Sequence, residues 1–84
     1  MAVKPLYGVY VWLTPESTRR YDPEMYGGVY ADDFDCALQC FMHRYSLPYV
    51  ERAMIVRISE QGDILGGEFR YQVSYPVQRQ EMSQ

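Results

Sequence analysis

Hydrophobic and polar positions along the chain change period several times, and each change marks an element. Residues 6–13, LYGVYVWL, alternate, with Tyr7, Val9, Val11 and Leu13 on one side and Leu6, Gly8, Tyr10 and Trp12 on the other. Both sides are apolar, so this strand either lies inside a sheet with both faces covered or offers Tyr10 and Trp12 to a partner. The segment 14–24, TPESTRRYDPE, carries two prolines, Ser17, Thr18 and Asp22 with little periodicity. It predicts a loop, of a length that in small domains goes with function or mobility. A short extended piece follows at 25–31, MYGGVYA, where Gly27-Gly28 predicts a bend or bulge.

The period then lengthens to that of a helix. Phe34, Leu38, Phe41 and Tyr45 recur at i, i+4, i+7 and i+11 with Ala37 and Met42 beside them, one apolar stripe that must lie on the sheet. Asp32 is the expected N-cap, with Asp33 and Asp35 in the first turn, where negative charge complements the helix dipole. Pro48 restricts Leu47 and ends the helix near Ser46.

Period two returns in RAMIVRIS at 52–59, with Met54, Val56 and Ile58 on one face and Ile55 and Arg57 on the other. Glu60-Gln61-Gly62-Asp63 reads as a hairpin turn in which the glycine supplies a positive φ. The return strand EFRYQVSY, 68–75, puts Phe69, Tyr71, Val73 and Tyr75 on one face and Glu68, Arg70, Gln72 and Ser74 on the other, with Gly66-Gly67 marking a bulge at its start. Tyr45, Tyr71 and Tyr75 are expected in the core. Pro76 ends the strand, and 77–84 is a polar tail expected to fray. The predicted fold is one α+β domain over 1–76: a small antiparallel sheet of three to four strands with one helix across it, in the order β-(β)-α-β-β.

Composition narrows the functional classes. Eighty-four residues hold one core, and 48% hydrophobic with 15% aromatic residues is globular composition. Nothing approaches an apolar run of about 18 residues, so no membrane span is expected, and the alternating N-terminal segment reads as a strand rather than a signal peptide. Two cysteines make no secreted disulfide framework, which makes a reducing cytoplasm the default. A net charge of −3 counts against direct nucleic-acid binding. The aromatic residues are nine tyrosines, three phenylalanines and one tryptophan, and the basic ones seven arginines and Lys4. Tyrosine and arginine are the types enriched at the centres of protein interfaces.

Four groups of residues could carry chemistry. Cys36, Cys40 and His43, at i, i+4 and i+7, share the helix side away from the apolar stripe and could approach a metal or form a thiol site. Their spacing is not that of paired zinc knuckles, and the bland alternative is a second helix face partly covered by the 14–24 loop or by another molecule. Neither the cysteine–histidine pair nor the glycine pairs match a catalytic or phosphate-binding motif, so no enzyme activity and no cofactor is expected. Arg19, Arg20 and Tyr21 could grip an anionic patch on a protein, or form a solvated loop. Asp32, Asp33 and Asp35, joined by Asp22 and Glu24, could meet a basic groove on a protein that handles nucleic acid, or serve capping alone. Finally, Tyr10 and Trp12 with Arg57 and Arg70 invite comparison with sheets that stack single-stranded RNA, although the RNA-binding consensus is missing. Tyr10 and Trp12 could equally be covered by a second copy in a homodimer.

In its sheet-plus-helix plan, with the helix DDFDCALQCFMHRY between strands and a Tyr/Arg-rich surface, the chain resembles the small acidic proteins by which phages and mobile elements block host defences, the anti-CRISPRs among them. The resemblance implies a non-enzymatic inhibitor that occludes a site on a host nuclease complex, in the cytoplasm of a bacterial host. The residues expected to carry the contact are Arg19, Arg20, Tyr21, Asp32, Asp33, Asp35, Tyr10 and Trp12.

Overall fold

The computed structural model describes residues 3–75; the segment 77–84 lies outside them. Their elements are β1 (Leu6–Trp12), a 3-10 turn (Ser17–Arg19), β2 (Met25–Tyr30), α1 (Phe34–Arg44), β3 (Tyr49–Ile58) and β4 (Ile64–Ser74). The strands form one antiparallel sheet in the order β2-β1-β3-β4, and α1 packs across one face of it. The expected fold class is the observed one. β1 is an interior strand, which is why both its faces are apolar.

The pairing register sorts every side chain to a face. Tyr7↔Val29, Val9↔Gly27 and Val11↔Met25 join β1 to β2, and Val11↔Ala53 and Val9↔Ile55 join it to β3. These residues point toward α1 and meet Ala37, Leu38, Phe41 and Met42 in the core. Gly27-Gly28 makes neither bend nor bulge, for the β1–β2 register runs unbroken through it. Gly27 serves the helix instead: a Cβ there would stand 3.2 Å from Cε1 of the fully buried Phe41. The bulge predicted at Gly66-Gly67 falls just before it: Arg57 pairs with Gly66 and Ile58 with Ile64, which leaves Leu65 as the extra residue. Gly62, at φ 92°, supplies the turn between β3 and β4.

α1 starts one residue later than the pattern suggests. Asp33, not Asp32, is the N-cap, its carboxylate accepting from Cys36 N–H at 2.8 Å, while Asp32 stands near Lys4. At the other end Ser46 adopts a left-handed φ of 55°, with Leu47 N–H donating to Met42 C=O and Ser46 N–H to His43 C=O, a Schellman closure. Serine is a poor occupant of that conformation. Ser46→Gly is expected to raise stability by about 0.5–1 kcal/mol, after allowing for glycine's freedom in the unfolded chain, and to raise Tm by several degrees in a thermal melt.

The strict alternation of 68–75 does not survive in the sheet. Gln72 takes a φ of 52° and the strand turns over there. Val73 and Tyr75 pack against the core, whereas Phe69 and Tyr71, opposite Met54 and Arg52, lie on the helix-free face at 49% and 64% exposure. Tyr45, at the end of α1, is also partly exposed at 43%. Of the three tyrosines expected in the core, only Tyr75 contributes to it. No helix among the described residues is long and apolar enough to cross a membrane.

Candidate functional site: the helix-free sheet face

One helix covers one face of a four-stranded sheet, and the other face is left to its own side chains. Register places Tyr10 and Trp12 of β1, Tyr26 and Tyr30 of β2, Arg52 and Met54 of β3 and Phe69 and Tyr71 of β4 together there. Tyr10 stacks on Tyr26 and Phe69 on Tyr71, with centroids 6.0 and 6.1 Å apart. Tyr26 and Tyr30 are 70% and 63% exposed. Trp12 is buried, and its cover is Arg52, whose guanidinium carbon stands 4.2 Å above the indole.

The 14–24 loop folds beside this face and is pinned. Ser17 and Thr14 hydrogen-bond reciprocally: each hydroxyl accepts from the other's N–H at 3.1 Å, and Ser17 Oγ donates to Thr14 C=O. Glu24 N–H donates to Val11 C=O at 2.9 Å, and the Glu24 carboxylate accepts from Leu13 N–H. The loop thereby brings Arg19, Arg20 and Tyr21 against Tyr10, Trp12, Arg52 and Phe69 around an open cleft of about 550 Å³. In two of its lining residues, Trp12 and Arg52, the Nε1 and Nε atoms are buried without a hydrogen-bond acceptor among the described residues. Leaving a buried donor unpaired costs on the order of 1–3 kcal/mol, so such groups merit a functional account.

The structure therefore unites Arg19, Arg20, Tyr21, Tyr10 and Trp12, and parts them from Asp32, Asp33 and Asp35, which lie on the helix side of the sheet. Asp35 is occupied there, accepting from Arg70 Nε at 2.9 Å, and Arg70 also meets Glu68 at 2.7 Å. Of the sheet arginines, Arg70 is thus on the helix side and Arg57 sits at the far end beside Leu6 and Ile58, so the arginine of the aromatic face is Arg52. Sequence reasoning left Arg52, Phe69, Tyr71, Tyr26 and Tyr30 out of the site. The alternation of β3 sets Arg52 with Met54, but only the strand order puts it opposite Trp12.

Cys36 and Cys40 are exposed free thiols, so the loop does not cover that side of α1. His43 turns to Tyr75, whose hydroxyl lies 3.1 Å from Nδ1. Among the described residues no three His, Cys, Asp or Glu side chains gather as a metal site. The Asp33 carboxylate beside Cys36 pushes that thiol's pKa up, which opposes a thiolate role.

Two carboxyls bind the fold to pH. Cys36 N–H holds the Asp33 carboxyl below the ordinary carboxylate range, and Leu13 N–H does the same for Glu24. A depressed folded-state pKa gives stability that is complete above the unfolded value, about 4, and is lost as pH falls through the folded value. Asp33→Asn keeps a good cap at neutral pH but removes that group's titration. Melts between pH 7 and 2.5 are expected to show the two proteins alike at pH 7 and the variant losing less of its Tm in acid.

Comparison with protein-family models, with curated proteins and with solved structures finds no match for the chain.

Proposed function

We propose that this is a non-enzymatic binding protein that docks its helix-free sheet face onto a protein partner and acts by occluding the surface it covers. The observation that carries the reading is the concentration of Tyr26, Tyr30, Phe69 and Tyr71, all about half exposed or more, on one face around buried Trp12 and Arg52. Tyrosine, tryptophan and arginine on a rigid sheet lose little conformational freedom on binding and are the usual energetic centres of interfaces. The resemblance to small anti-defence proteins supports a partner among nucleic-acid-handling host complexes, with Arg19, Arg20 and Tyr21 at the rim of the contact. A stable complex of this kind buries roughly 1,600 Å² in total.

The test is affinity capture from host lysate with the wild-type chain, a sheet-face variant and Asp32→Ala on the helix side. A partner retained by wild type and Asp32→Ala and lost with the sheet-face variant is the expected result. Equal capture by all three overturns the reading. Sedimentation of the chain alone separates docking from self-association, a 9.9 kDa species being expected at high concentration.

A further inference from the structure

We propose that the cleft between the loop and the sheet binds single-stranded nucleic acid, holding an unpaired base against its rings and the flanking phosphates on Arg19, Arg20 and Arg52. This goes beyond protein docking and concerns the cleft beside that face, whose Trp12, Arg52 and Phe69 both readings share.

The first is the chemistry of the lining. Trp12 is 4% exposed, and its Nε1 and the Nε of Arg52 are donors with no acceptor. Arg19, Arg20 and Arg52 form no ion pair among the described residues, although Arg20 lies near enough to Glu24 to help hold that carboxyl in its charged form. Asp22 is the one carboxylate of the lining. Arg19, Arg20 and Arg52 therefore give the cleft positive charge, which suits a negatively charged occupant rich in acceptors. The second observation is the rings. Tyr21, 95% exposed, and Phe69 flank the arginines and present flat apolar surface. Every nucleobase has a face that stacks on such rings, and the arginine planes add to the stacking. At about 550 Å³ the cleft is within the size of ordinary ligand pockets, roughly 300–1,000 Å³.

The third is where the negative charge lies. A net charge of −3 argues against nucleic acid only if it is spread evenly. It is not: Asp32, Asp33, Asp35 and Glu68 lie on the helix side of the sheet, while Asp22 and Glu24, the other two members of the acidic cluster, stay with the loop. A strand at the cleft meets three arginines, set against Asp22 in the lining and Glu24 beside Arg20.

Trp12 is the only tryptophan and lines the cleft, so its fluorescence reports the site. Decamers of deoxythymidine and uridine are titrated against the full chain in 20 mM salt, with anisotropy of labelled oligonucleotide as a second readout. Saturable quenching is expected, with a log–log salt slope of about −2, three phosphate contacts at roughly 0.7 each. Arg52→Gln is expected to weaken binding about fivefold or more and flatten the slope by about 0.7. Should Arg52→Gln not fold, judged by circular dichroism, Arg19→Ala with Arg20→Ala on the exposed loop carries the same test. No change in fluorescence or anisotropy up to 100 μM oligonucleotide overturns the proposal. So does binding that the arginine substitutions leave unchanged, duplex bound as tightly as single strand, or equal binding of a deca-glutamate peptide. None of these results bears on capture of a protein partner.

Discussion

Replacing Phe41 with alanine is expected to lower the unfolding free energy by about 3–5 kcal/mol. Phe41 is fully buried at the centre of α1, its ring against Gly27 of β2 and 4.8 Å from the ring of Tyr45. A domain of this size buries a smaller fraction of its surface than larger ones, so its total stability sits toward the low end of about 5–15 kcal/mol. With one helix and no second layer on that face, little can move in to fill the cavity. Urea and thermal melts check this, with a fall in Tm of roughly 15 °C or more. Gly27→Val attacks the same contact from the sheet, and overpacking there is expected to cost about 1–3 kcal/mol. Pairing it with Phe41→Leu should recover part of that cost. Strict additivity in the double variant would show that Gly27 is not what makes room for the ring.

The second large effect is on binding and leaves the fold intact. Phe69→Ser with Tyr71→Ser removes two rings that are 49% and 64% exposed, without changing charge. Exposed positions outside the core tolerate substitution within about 0.5 kcal/mol each, so the melt should hardly move. If the sheet face docks a partner, each ring stands where interface truncations cost about 2 kcal/mol or more, and the pair should weaken binding by roughly 100-fold or more. The partner recovered by capture with the wild-type chain provides the ligand for the isotherm. An unchanged isotherm with a folded variant moves the docking surface elsewhere. Charge reversal at Arg19 and Arg20 is expected to act more weakly, because rim charges mostly steer association.

Most elements are visible in the one-dimensional pattern, since each is held by a local period. The stripe of Leu38 and Phe41 with Ala37 and Met42 faces the core as its spacing requires, and Gly62 turns the β3–β4 hairpin as a residue that tolerates positive φ should. The misplacements have specific causes. The β4 alternation misassigned Phe69 and Tyr71 because period two holds only while φ stays extended, and Gln72 breaks it. The glycine pair of β2 looked like a bulge because the pattern cannot show that Phe41 needs the space. Asp32, Asp33 and Asp35 are near the arginine loop in sequence, but the sheet lies between them.

The sequence by itself determined the α+β fold class, the helix and its buried stripe, and the hairpin, for these follow from contacts between residues a few positions apart. Only the tertiary structure decided the strand order β2-β1-β3-β4 and, through it, the site. Trp12 meets Arg52 from forty positions away in the chain. The face they share is defined by which strands pair and by what one helix leaves uncovered, and both depend on long-range packing that no local period encodes.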